Sequence, residues 1–135
     1  MTTRPAGRPI KSGPGRVLIA VYLLFSIAAT ARAGYQIATK FDEAPVAYLL
    51  SALAAVIYIV ASYGLSRSGR TGWWIALASC TVELIGVLGV GALSLFDPAL
   101  FPDETVWSGF GEGYGYLPLV LPVLGLLWLR RTRPR

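Results

Sequence analysis

Residues Trp73–Phe96 read WWIALASCTVELIGVLGVGALSLF, an apolar run broken by one carboxylate, Glu83. At 1.5 Å per residue a helix of this length reaches about 36 Å, enough to cross a hydrocarbon layer of about 30 Å with some tilt. Glu83 then stands near mid-depth, where an ionisable group is costly and needs an inward orientation and a partner. Ala76, Ser79, Cys80, Gly86 and Val90 share its helical face, and residues that small admit a second helix at close range. Ile75, Val82, Ile85 and Leu88 lie elsewhere on the circumference.

Outward from this run the same pattern repeats. Hydrophobic residues make up 55% of the 135-residue chain and charged residues 14%, with a mean hydropathy of +0.60. A soluble domain carries about 25% charged residues. Apolar blocks at about 17–39, 46–65, 73–96 and 116–129 predict an all-α, polytopic membrane protein, a bundle of four transmembrane helices spanning residues 16–131. A basic tail, 1–15, precedes the bundle without apolar periodicity and reads as disordered, and 132–135 form a second basic tail. Val17–Ala29 followed by Ala31-Arg32-Ala33 also resembles a secretory signal with a cleavage site, but the helical pattern continues through Ile37 and further spans follow, which favours uncleaved anchoring.

Charge fixes the orientation. Arg4, Arg8, Lys11, Arg16, Arg67, Arg70, Arg130, Arg131, Arg133 and Arg135 fall on one side of the spans, while Asp42, Glu43, Asp97, Asp103, Glu104 and Glu112 fall on the other. The positive-inside rule places both termini in the cytoplasm, in the plasma membrane, with residues 97–115 as one long extracytoplasmic loop. That loop is acidic and aromatic, and its starts at Asp97-Pro98 and Pro102–Trp107 predict a short interfacial helix. In the second block Ser51, Ala55, Tyr58 and Ser62 form a small or polar stripe facing the bundle, opposite Leu49, Leu53, Val56, Ile57 and Val60. Pro118 and Pro122 predict a short or kinked last span.

Several functions are excluded or disfavoured by composition. With no histidine the chain cannot build a bis-His haem, a His-containing metal site or a Ser-His-Asp triad. Cys80, the single cysteine, excludes dithiol chemistry within one chain and reads as a buried structural thiol. No phosphate loop, zinc spacing or nucleic-acid stripe is present, so no cofactor, metal, catalytic residue or nucleic-acid partner is expected. Gly113-Tyr114-Gly115 is set aside as a potassium filter because the Thr-Val pair is displaced. Asp97, Asp103, Glu104 and Glu112 offer oxygen ligands without the spacing of a known calcium loop.

The candidate site is an intramembrane polar cluster of Glu83, Arg32 and Tyr58. Arg32, the other charge inside an apolar block, lies roughly 9 Å outward of Glu83 by residue count and has a second route, outward to Asp42, Glu43 or the acidic loop. Tyr58 lies at similar depth and has a hydroxyl to donate. Trp107 and Phe110 are candidate partner-contact residues on the loop.

Ala29–Pro45 (ATARAGYQIATKFDEAP), Val82–Pro102 (VELIGVLGVGALSLFDPALFP), Thr105–Tyr116 (TVWSGFGEGYGY) and Leu117–Arg131 (LPLVLPVLGLLWLRR) resemble a family of small uncharacterised actinobacterial integral membrane proteins. The resemblance implies four membrane helices and brings no activity with it. A looser similarity to DoxX-like four-helix membrane proteins rests on Ala33-Gly34 and Lys40 and transfers no function. The expected role is non-enzymatic: an accessory or structural subunit working through helix and loop contacts with the lipid bilayer and a protein partner or a second copy. The alternative is a small transporter or channel component with Glu83 as a proton or cation site. A membrane redox or lipid enzyme, a third class, lacks an evident catalytic group.

Overall fold

A computed structural model describes residues 13–67 and 69–133; most of the basic tail (1–12), Ser68 and residues 134–135 lie outside it. Among the described residues the chain is all-helical. Four α-helices occur in order: α1 (Gly13–Lys40), α2 (Pro45–Ser66), α3 (Gly69–Phe96) and α4 (Leu117–Arg131). Short 3-10 segments at Phe41–Glu43, Pro98–Leu100 and Ser108–Tyr114 connect them. The helices α1, α2 and α3 are each long and apolar enough to cross a membrane. A fourth crossing exists if Ser108–Tyr114 and α4, bent by 98° from each other, count as one broken span.

Helix α1 starts earlier than the apolar block, at Gly13, so Gly13–Gly15 are helical and not part of a tail. Pro14 belongs in a first turn, where its missing N–H has no intrahelical acceptor to lose. Pro45 opens α2 for the same reason, and the Asp97-Pro98 pair stops α3.

The packing has large apolar side chains outside and small or aromatic-polar ones inside. On α1 the buried residues Leu18, Tyr22, Ser26, Ala29, Ala33 and Gln36 recur every three or four positions, while Val17, Leu24 and Ile27 are exposed. On α2 the stripe Ser51, Ala55, Tyr58 and Ser62 is buried, and Leu49, Leu53, Val56 and Val60 are exposed. Ile57 departs from the expected outer face: it is 8% exposed. Helix α3 buries Ala76, Ser79, Cys80, Glu83, Val87 and Val90 and exposes Val82, Ile85 and Leu88. Helix α2 packs against α1 on one side and α3 on the other, α4 packs on α3, and α1 meets α4 only lightly. The small stripe permits close approach: a methyl group at Gly64 would stand 2.6 Å from the backbone nitrogen of Ala76.

The loop does not remain an external cap. Thr105–Gly109 are buried, and the Trp107 ring lies against Gly86, ten residues or about 15 Å short of the end of α3. Phe110 packs on Gly91. The chain turns through left-handed backbone at Gly109, Phe110 and Gly111 (φ +58°, +62° and +86°) and again at Gly115 and Tyr116 (φ +64° and +61°) before α4 begins. Three of these five are glycines, where that conformation carries no Cβ penalty. The interfacial helix expected at Pro102–Trp107 does not form. The Trp107 amide donates to Thr105 Oγ1 at 3.0 Å, the Thr105 amide to Ser108 Oγ at 2.9 Å and the Glu104 amide to Asp103 Oδ1 at 2.9 Å, so side-chain oxygens take the donors a helix would use.

Candidate functional site

Glu83 has no exposed surface, and its partner is a residue not singled out in the sequence. Tyr22 of α1, also fully buried, donates its hydroxyl to Glu83 Oε1 at 2.7 Å. The same hydroxyl lies 3.6 Å from Cys80 Sγ, one turn before Glu83 on α3. Glu83 Oε2 has no hydrogen-bond partner.

The other helices close around this pair. A methyl group at Gly125 of α4 would stand 2.7 Å from Cys80 Sγ and 3.7 Å from the Tyr22 hydroxyl, so only a glycine-sized residue fits there without displacement. From α2, the Tyr58 ring lies 6.2 Å from that of Tyr22, and the Tyr58 hydroxyl accepts from Trp107 Nε1 at 3.2 Å. Four residues after Tyr22 and Tyr58, the Ser26 and Ser62 hydroxyls lie 3.1 Å apart, each within hydrogen-bond reach of the carbonyl four residues back, so two protons serve three contacts. All four helices and the buried loop segment therefore meet at one polar layer.

The expected triad of Glu83, Arg32 and Tyr58 is corrected in part. Arg32 does not pair with Glu83. It is exposed, lies over the Tyr114 ring at 5.7 Å and donates to the Tyr114 hydroxyl. The reason is axial position: Tyr22 is the α1 residue level with Glu83, and Arg32 lies ten residues, about 15 Å, beyond it. Tyr58 joins the cluster, but its hydroxyl is engaged by Trp107 and not by Glu83. Trp107 is not a surface anchor for a partner either, being 2% exposed, and Phe110 is half-buried against α3. Asp97, Asp103, Glu104 and Glu112 form no group that could hold a metal among the described residues.

A second polar site ties the loop to the α1–α2 turn. Tyr48 donates to Asp103 Oδ2 at 2.8 Å, and Lys40 Nζ lies 3.7 Å from the same oxygen. The Tyr48 hydroxyl, followed by the Glu104 amide and Lys40, holds the Asp103 carboxyl below the usual range against a smaller opposing effect of burial.

Tyr22 was missed because a tyrosine in an apolar block reads as packing. Its signal lies in company: Tyr22, Ser26, Ala29, Ala33 and Gln36 form in α1 the same small or polar stripe that was recognised in α2. In comparison with known proteins, the chain matches no protein-family model, no curated protein and no solved structure.

Proposed function

We propose that the chain is a non-enzymatic plasma-membrane protein with four spans, both termini cytoplasmic and residues 97–104 outside, and that it belongs with the small actinobacterial membrane proteins its sequence resembles. Its role is that of an accessory or structural subunit, acting on a partner protein or a second copy through its helix faces and outer loop. Large apolar side chains outside and small ones inside suit a lipid environment, where close packing rather than water exclusion holds helices together.

One observation carries the structural reading: Tyr22 and Glu83, both without exposed surface, join α1 to α3 at the level where α2, α4 and Trp107 converge. A buried hydrogen bond of this kind fixes the register of two helices that otherwise slide on apolar contacts. The polar layer is then a pin.

A second reading is favoured by a different observation, the unpartnered Glu83 Oε2. Among the described residues no cation pairs with this carboxyl, and an uncompensated carboxylate in such a place costs several kcal/mol. A proton or a bound cation on Oε2 removes that cost, which is the property a transport site needs. Reconstitution of wild type and Glu83→Gln into vesicles with an entrapped pH dye separates the two. The structural reading expects both to match empty vesicles in proton flux and to differ only in thermal midpoint. Flux by the wild type that Glu83→Gln abolishes would overturn it in favour of transport.

A further inference from the structure

At the end of the bundle opposite the acidic loop, the chain leaves two guanidinium groups beside a pair of indoles. Arg70, Trp73 and Trp74 lie three and four positions apart at the start of α3, so they share one side of its first turns. Trp73 is buried and donates its Nε1 to the carbonyl of Leu129 at 2.8 Å, which clamps the start of α3 to the end of α4. Two residues past α4, Arg133 is thereby brought next to Arg70. Together Arg70, Trp73, Trp74 and Arg133 line a cavity of about 180 Å³. The Trp74 ring stands edge-on to Trp73 at 5.0 Å and is 52% exposed.

This cavity has the chemistry of an anion site, and none of its lining residues is acidic. Every described acidic residue except Glu83 lies in the turn after α1 or between α3 and α4, and Glu83 is spent on Tyr22. The first turn of α3 carries no acidic side chain, so the positive end of that helix is uncompensated as well. Guanidinium groups match phosphate oxygens bidentately, and exposed tryptophan prefers the level of lipid headgroups. A basic pocket between the ends of membrane helices suits the phosphate of a lipid headgroup.

We propose that Arg70, Arg133, Trp73 and Trp74 form a binding site for the phosphate of an anionic phospholipid headgroup. The assignment rests on the membrane reading given above but not on its orientation or on the role of Glu83. Arg70 and Arg133 hold the phosphate, and Trp74 lies against the glycerol and upper acyl region.

The test is native mass spectrometry of the purified full chain in mild detergent with phosphatidylglycerol and phosphatidylcholine at equal concentration. Wild type is expected to retain one phosphatidylglycerol preferentially, and Arg70→Ala/Arg133→Ala to lower that retention about tenfold. A charge-matched control, Arg67→Ala/Arg130→Ala, removes two other exposed arginines and is expected to stay within about twofold of wild type. An equal loss in the control would overturn the proposal in favour of diffuse attraction, as would unchanged retention in the Arg70/Arg133 variant. Inorganic phosphate at millimolar concentration is expected not to displace the lipid; displacement would assign the cavity to free phosphate and overturn the lipid assignment. Failure of these binding results leaves the four-span reading untouched, because span number is read by labelling and not by lipid retention.

Discussion

At position 83 the chain places a carboxyl group with no exposed surface, and one phenol satisfies half of it. Removing that phenol leaves both Glu83 oxygens without a donor, which costs about 1–3 kcal/mol for a buried polar group. Tyr22→Phe is therefore expected to lower the thermal midpoint in mild detergent clearly. Glu83→Gln, which keeps an acceptor for Tyr22, is expected to cost less than about 1.5 kcal/mol. Replacing both partners by apolar residues, Tyr22→Phe with Glu83→Leu, should recover part of the loss, since no orphaned group remains. A Tyr22→Phe protein as stable as wild type would show that this hydrogen bond does not hold α1 to α3. Asp103 behaves oppositely, being at the surface and paired. Its carboxyl is held low chiefly by Tyr48, so the stabilisation is complete above the unfolded value of about 3.9 and is lost only as pH falls through the lower folded value. The anchoring of the loop should thus be constant from pH 5 to 8. Tyr48→Phe should move Asp103 titration upward, as followed by carboxyl ¹³C chemical shift in micelles; an unmoved titration would remove Tyr48 as the cause.

Among the elements, the segment 105–116 depends on what α3 lacks. A methyl group at Gly86 would stand 2.7 Å from two ring carbons of Trp107, and that ring is held from behind by Tyr58. Overpacking of this kind costs about 1–3 kcal/mol, so Gly86→Ala should destabilise the protein and open Trp107 to an aqueous fluorescence quencher. Gly89→Ala is the internal control: nothing lies within 4 Å of its added methyl, and alanine favours a helix by about 1 kcal/mol over glycine. Equal effects of the two would mean that the ring does not sit on Gly86. This segment also marks the limit of what the sequence discloses. The helices were legible, because apolar blocks of spanning length and a face of Ala76, Ser79, Cys80 and Glu83 are properties of a single helix with a fixed period. The return of Trp107 into the bundle was not. Alternate glycines announce turns, but the direction of a turn is set by contacts with Gly86 and Gly91, some twenty residues earlier in the chain. Left-handed backbone at Phe110 and Tyr116, which are not glycines, has no local signature at all. The partner of Glu83 is hidden for a related reason: opposite charge points to Arg32, but equal depth on a neighbouring helix decides, and that belongs to Tyr22.

For the whole molecule, the question is whether a chain with three long apolar helices and one short one makes three membrane crossings or four. Helix α4 has 15 residues, about 22 Å, against a hydrocarbon thickness of about 30 Å. Residues 105–109 before it are buried beside α3, and burial in protein is the condition under which irregular backbone persists at membrane depth. If α4 with that segment is the fourth crossing, the start of α3 and the loop tip lie on opposite sides. If it is re-entrant and α4 does not cross, Arg130–Arg133 come out on the same side as Glu104. Single-cysteine labelling decides between them with little background, because the native Cys80 is buried. Thr71 and Glu104 are exposed and suit the reporters, whereas Ser108 does not, being buried. With a membrane-impermeant maleimide on intact cells, Glu104→Cys is expected to label at once, and Thr71→Cys and Arg133→Cys only after permeabilisation. Labelling of Arg133→Cys in intact cells would refute the fourth crossing. Labelling of Thr71→Cys would reverse the charge-based orientation, and it would also move the Arg70 and Arg133 cavity to the outer leaflet without altering the chemistry that makes it an anion site.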